Sequence, residues 1–313
     1  MFKTTIRHVL RVFVLFALML SMGCSKSEPN KRFGVVAMTP ALTEIVLDLD
    51  NAPQLLATSP FTTDPRAKNA IRIPQNGSLE ILTALKPAVV FMQSSDTIQA
   101  EKLQAIHIDA RILPMTSMSD IKNAMQTIGN AIATPQKTQT LIEEFESDRA
   151  KNKAEFDTFP SKPTFLLVID RLDSRLQQFY IAQHDAFLVD VFEGCGVTVV
   201  SSDSDPWKRI DAETLYKLNP QFIAYLAKTP AEASEVHQLF FSRFSGLDAV
   251  KNDRLFLYDD PDITIPGSGI GKRQRKLCLK IHEFLNRNST LLDAKQIPQN
   301  DAPTDTHNDP ANQ

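Results

Sequence analysis

Apolar residues fall along this chain in short runs separated by amphipathic stretches. Phe33-Gly34-Val35-Val36-Ala37-Met38 suits a buried strand and is ended by Thr39-Pro40. Helical spacing follows over 41–49, with Leu42, Ile45, Val46 and Leu49 on one face. Leu55 to Thr58 is a second strand candidate, stopped by Ser59-Pro60. Ser78 caps a predicted helix that runs to Lys86, Pro87 closes it, and 88–92 is again a strand. A short strand at 110–113 precedes a helix over about 119–132. Strands and helices alternating at this length predict an α/β sheet with parallel strands.

The stretch from Pro135 to Phe156 differs, because it contains no Gly and no internal Pro. Leu141, Ile142, Phe145 and Arg149 mark one face and charges fill the rest. One helix of this length reaches about 30 Å at 1.5 Å per residue, enough to join two lobes rigidly. Beyond it the grammar repeats: a strand at 164–170, a helix at 187–193 ending at Gly194, a helix at 211–218 and a strand at 221–226. A late strand at 255–258 and a basic amphipathic helix at 271–286 follow, and from Asp293 the chain is polar and Pro-rich. The pattern predicts two Rossmann-like α/β lobes with parallel central sheets, at 32–134 and 158–290. One long interdomain helix at 135–157 joins them, and a polar, disordered tail at 291–313 ends the chain.

The length of 313 residues accommodates two such lobes, and 42% hydrophobic with 23% charged residues is a globular composition. A formal charge of −3 provides no basic field for nucleic acid. The first residues are not part of the fold. Lys3, Arg7 and Arg11 make a positive start, Val9 to Leu20 is apolar apart from Arg11, and Ser21-Met22-Gly23-Cys24 follows. This is the layout of a bacterial export signal over 1–23, too short for a comfortable membrane span. Cys24 after Gly23 fits a lipidation site, although Ser21 stands where Leu is usual, and 24–31 reads as a tether. The expected location is therefore the periplasm, on a lipid anchor to a bacterial membrane.

Cys195 and Cys278 remain after processing. In an oxidising compartment they are either bridged or two separate buried thiols. His107, His184, His237, His282 and His307 show no metal-ligand spacing, and no HExxH or CxxC occurs. There is no Gly-x-Ser-x-Gly elbow and no nucleophile with an evident base, so an enzyme is not expected. Gly267-Ser268-Gly269-Ile270-Gly271-Lys272 imitates a phosphate loop but has Pro266 and Arg273 at positions that need Gly and Ser or Thr, so it reads as the start of the last helix. Trp207, the single tryptophan, follows the turn-rich Asp203-Ser204-Asp205-Pro206, which predicts an exposed platform for a planar ring system.

The chain also repeats itself. Leu79 to Pro87 and Ala212 to Pro220 carry Glu, Leu, Leu and Pro at the same spacings, offset by 133 residues. Glu80 and Glu213 each fall in a first helical turn, where the helix dipole tolerates an acid. For one Glu alone this is an adequate explanation. A matched pair, one per lobe, offers two acidic corners to a two-fold partner.

Val35 to Glu44, Asp64-Pro65-Arg66-Ala67-Lys68, Leu79-Glu80 to Lys86-Pro87, and the Cys-Gly at 195–196 resemble the helical-backbone periplasmic binding proteins that serve ABC importers of vitamin B12, haem and ferric siderophores. The resemblance covers roughly Arg32 to Arg287 and is strongest to the vitamin B12-binding members. It implies a Cys195–Cys278 bridge, ligand contacts from Trp207 and Tyr180, and docking of Glu80 and Glu213 onto arginines of a permease dimer. Pro60, Pro74 and Gln93 stand where those members have large aromatics, with Phe61 as a partial substitute. The expected ligand is a metal chelate such as cobalamin, haem or a ferric siderophore. It would lie between the lobes of a monomer, against Phe61, Gln93, Arg171, Tyr180 and Trp207, with no cofactor or metal site of the protein's own. The alternative is an envelope scaffold or adhesion lipoprotein that keeps the fold without the ligand.

Overall fold

Thr39 and Pro40 start the first helix for separate reasons. The Thr39 hydroxyl accepts from the Leu42 N–H at 3.3 Å, and Pro40 stands in the first turn, where its missing N–H costs nothing. This computed structural model describes residues 33–74, 79–171, 177–201 and 205–295, with side chains to Asn288. The export signal, Cys24, the tether and the Ser78 cap lie outside the described residues.

The first lobe carries strands β1 (Val35–Ala37), β2 (Leu55–Thr58), β3 (Ile71–Arg72), β4 (Val89–Met92) and β5 (Ala110–Ile112). They form one sheet in the order β3-β2-β1-β4-β5, parallel at every pairing. Val35 to Ala37 and Val89 to Met92 are buried throughout, because helices cover both faces of a parallel sheet. Those helices are α1 (Pro40–Asp48), α2 (Leu79–Leu85), α3 (Thr97–Ala105) and α4 (Met118–Ala131). A reciprocal cap between Ser117 and Asp120 starts α4. Helix α5 (Pro135–Phe156) then carries the chain to the second lobe, as its spacing predicts.

The second sheet runs β11-β10-β6-β7-β9, with β8 beside β6. Its strands are β6 (Thr164–Arg171), β7 (Gln178–Ala182), β8 (Thr198–Val199), β9 (Trp207–Asp211), β10 (Phe222–Leu226) and β11 (Leu255–Tyr258). The expectation of a parallel sheet holds for β6, β8, β10 and β11 and fails at β7, which runs antiparallel to both of its neighbours, β6 and β9. The reason is connection length. Only 172–177 separate β6 from β7, whereas a parallel return needs about a dozen residues. Helices α6 (Phe187–Glu193), α7 (Ala212–Leu218), α8 (Pro230–Arg243), α9 (Asp248–Lys251) and α10 (Ile270–Lys295) complete the lobe. Helix α10 continues beyond the expected end near Asn286.

The main core belongs to both lobes. It passes from Leu42 and Ile45 of α1 and Met125 of α4, through Ile142 and Phe145 of α5, to Phe192 of α6, Ile281 of α10 and Phe165 and Leu167 of β6. Leu166 and Val168 face the other way, into a second core with Phe240 of α8. Cys195, just past α6, is bridged to Cys278 of α10 with Cα atoms 4.8 Å apart.

The loop that imitates a phosphate binder ties the lobes together. Arg273 donates two hydrogen bonds to Glu44 of α1, at 3.0 and 3.1 Å, and one to the Ile265 carbonyl at 2.9 Å. The Gly269 N–H donates to the same Glu44 carboxylate at 2.8 Å, and the Ser268 hydroxyl to Asp48 at 2.6 Å. Glycine suits this approach: a Cβ on Gly267 or Gly269 would clash with the Glu44 carboxylate oxygens where they now stand. On the same helix start, Asn152 of α5 donates to the Gly271 carbonyl at 2.7 Å and to the Gln274 side chain at 3.0 Å.

Two outcomes follow for stability. Glu44 and Arg273 are only 17% and 16% exposed, so Glu44→Ala, which strands the guanidinium, should lower the unfolding free energy by about 3 kcal/mol in urea titrations. The bridge closes a separation of 83 residues. Replacing both cysteines with serine should cost up to about 4–5 kcal/mol in the chain-entropy account, read as a drop in the urea midpoint relative to the oxidised protein.

Candidate functional site

Strand ends make the site. Gln93 and Ser94 follow β4, and Met115 and Thr116 follow β5. Ile169 and Asp170 lie near the end of β6, and Leu226, Ala227 and Lys228 end β10. All lie at or beyond the carboxyl ends of parallel strands, where α/β sheets leave crevices. The two sets face each other across a cleft of about 700 Å³. Tyr180 of β7, Trp207 of β9 and Phe187 at the start of α6 supply its aromatic wall, and Thr264 and Pro266 line it from the loop that leads to α10. The lobes touch within the lining: the Phe187 N–H donates to the Thr116 carbonyl at 2.6 Å.

Trp207 is half-buried and packs edge-on against Phe187, with ring centroids 6.3 Å apart. It begins a strand instead of crowning a loop, and pairs with Ala182 while Arg209 pairs with Tyr180. Residues opposite one another on antiparallel strands share a face, so Tyr180 and Trp207 reach the cleft from adjacent strands. A smaller hollow of about 230 Å³ shares Gln93, Thr264 and Pro266 with the cleft and is lined by Phe61, which is 72% exposed.

The structure therefore brings Gln93, Tyr180 and Trp207 together, with Phe61 alongside. Arg171 is placed elsewhere. Its guanidinium donates two bonds to Glu235 of α8, at 2.9 and 2.7 Å, and that carboxylate holds the Arg171 pKa above its ordinary value. The cleft lining takes Ile169 and Asp170 of the same strand and leaves Arg171 out; the β6–β7 register shifts between Val168 and Asp170, so simple alternation of faces does not hold there. Asp170 accepts from Lys228 at 3.0 Å and from the Arg171 N–H at 2.8 Å. Met115, Thr116, Phe187, Asp170 and Lys228 are lining residues that the sequence reading passes over. Their common signal is a position just past a predicted strand or at a helix start. Among the described residues no group of three His, Cys, Asp or Glu side chains converges to hold a metal ion.

The repeated helices match in detail. Glu80 and Glu213 are exposed in the first turns of α2 and α7, Leu82 and Leu215 are fully buried, and Lys86 and Asn219 both adopt the left-handed conformation before proline. Each leads into a buried strand, β4 or β10. Glu213 pairs with Lys217 at 2.7 Å. The Thr214 N–H, donating to the capping Asp211 at 2.8 Å, holds that carboxyl below the usual carboxylate range.

A family profile described as periplasmic binding protein matches residues 35–261. The uncharacterized ABC transporter substrate-binding lipoprotein YvrC of Bacillus subtilis (strain 168) is 26% identical over 250 residues, which span 76% of this chain and 75% of that protein. A periplasmic solute-binding protein of Staphylococcus epidermidis superposes with a TM-score of 0.70 at 20% identity, over 80% of this chain and 98% of the other. The periplasmic vitamin B12-binding protein BtuF of Vibrio cholerae superposes with a TM-score of 0.67 at 15% identity, over 81% and 98%. At these identities the two superpositions establish the fold. No helix of the described residues is long and apolar enough to cross a membrane.

Proposed function

The chain belongs to the periplasmic binding protein family, and on that premise we propose that it is the solute receptor of an ABC importer, carrying a bulky metal chelate in the cleft between its lobes. The observation that carries this reading is the cleft itself. About 700 Å³ is walled by Tyr180, Phe187 and Trp207 and fringed by the neutral side chains of Gln93, Ser94 and Thr116. That volume and lining suit a bulky ring or chelate buried against flat apolar surface, with a few polar groups fixing its orientation. The metal of a corrinoid, haem or ferric siderophore would arrive inside its chelator. Vitamin B12 binding by one structural relative and the name of the Bacillus relative support the class of cargo and the transport role.

Delivery would run through Glu80 and Glu213, the exposed acids of the two matched helices, presented to arginines of a two-fold permease. Lipidation at Cys24 would hold the receptor on an extracytoplasmic membrane surface, as the lipoprotein name of the Bacillus relative supports.

Trp207, the single tryptophan, provides a direct readout. Cyanocobalamin, haemin or a ferric siderophore should quench its emission saturably, and Trp207→Leu should weaken binding of the active chelate, measured by calorimetry, by about ten-fold or more. Failure of the whole panel to bind would favour the envelope-scaffold reading, to which the non-aromatic Pro60, Pro74 and Gln93 already lend some weight. Reversing both acids, Glu80→Lys with Glu213→Lys, should abolish uptake in cells while the purified protein keeps its ligand affinity. Unimpaired uptake would remove the docking role.

A further inference from the structure

We propose that the cleft selects a chelate carrying no net negative charge, a ferric tris-hydroxamate or an amide-fringed corrinoid as opposed to a ferric tris-catecholate; this rests on the reading of the cleft as a chelate site. Among the described residues that line the cleft and its adjoining hollow, only Asp170 and Lys228 are charged at neutral pH. They sit at the ends of neighbouring strands and neutralise one another. Lys228 donates to one Asp170 oxygen at 3.0 Å, and the Arg171 N–H donates to the other at 2.8 Å. The lysine is thus already matched, and the carboxylate is held at both oxygens.

The lining contains no further cation among the described residues. Arg171 is bound twice by Glu235, away from the cleft. Arg209 is on the strand face it shares with Tyr180, but it is exposed to water and stands outside the lining. The segments 172–176 and 202–204, outside the described residues, contain Asp173, Arg175 and Asp203 by sequence and so add no net positive charge. A trianionic chelate entering here would lose hydration around three charges and find one ammonium to meet them. Asp170 already offsets that ammonium, so the anion would meet a pair with no net charge. An uncharged chelate does not incur that cost, and Gln93, Ser94, Thr116 and Thr264 present neutral donors and acceptors suited to amides and hydroxamates.

The test compares ferrichrome and cyanocobalamin, both neutral, with ferric enterobactin, a trianion, by calorimetry on the full chain and on two variants. The wild-type protein should bind at least one neutral probe roughly ten-fold or more tighter than ferric enterobactin, and the two neutral probes separate hydroxamate from corrinoid. Asp170→Asn frees Lys228, so ferric enterobactin should gain several-fold relative to the neutral probe. Lys228→Gln leaves Asp170 unpaired, so the anion should lose further on the same ratio. Opposite signs in two variants are not produced by a general loss of folding. Tighter binding of ferric enterobactin by the wild type, or variants that shift the ratio in the same direction, overturns the inference while leaving the chelate reading intact. Binding of none of the three probes, nor of haemin, overturns the chelate reading itself.

Discussion

The ion pair between Glu44 and Arg273 is the contact on which the arrangement of the two lobes depends. It joins the first described helix of one lobe to the last helix of the other, and the same carboxylate also receives the Gly269 N–H. A buried pair of this kind contributes little net stability compared with a well-packed apolar contact, but it has a single satisfactory geometry. That geometry fixes the loop from Pro261 to Gly269. Thr264 and Pro266 of this loop line the cleft, so the lobe-to-lobe contact and the cleft wall are one piece of chain. The glycines allow the loop to approach the carboxylate, and a side chain at Gly267 or Gly269 would have to displace the Glu44 carboxylate from its present position.

Around that contact the lobes are joined by apolar packing more than by a hinge. Helix α5 contributes Ile142 and Phe145 to a core that contains residues of both sheets, and the Phe187 to Thr116 backbone bond closes the lining where the lobes meet. A shared, densely packed core resists the large relative rotation available to lobes joined only by flexible strands. The cleft is therefore largely formed before a ligand arrives. Binding of this kind draws on burial of flat apolar surface and loses little free energy to reorganisation.

Strands β4 and β10 each link a matched helix to a stretch of the cleft lining. The cleft residues follow the carboxyl ends of β4, β5, β6 and β10, while the matched helices α2 and α7 precede β4 and β10.

Much of this was legible in the residues. The buried strands of the first lobe, the unbroken helix from Pro135, the duplicated Glu-Leu-Leu-Pro segment and the aromatic pair Tyr180 and Trp207 follow from periodicity, turn chemistry and family resemblance. Each depends on local burial or on a pattern carried within a few turns of chain. Tertiary structure alone decided the rest. The antiparallel course of β7 between β6 and β9, the capture of Arg171 by Glu235 and the matching of Lys228 with Asp170 depend on partners 64 or 58 residues away or on adjacent strands. The glycine loop is the clearest instance. Its sequence imitates a phosphate binder, yet the anion it holds is Glu44, 225 residues earlier. Hydrophobic period reports which side of an element is buried; it carries no information about which distant charge will meet it there.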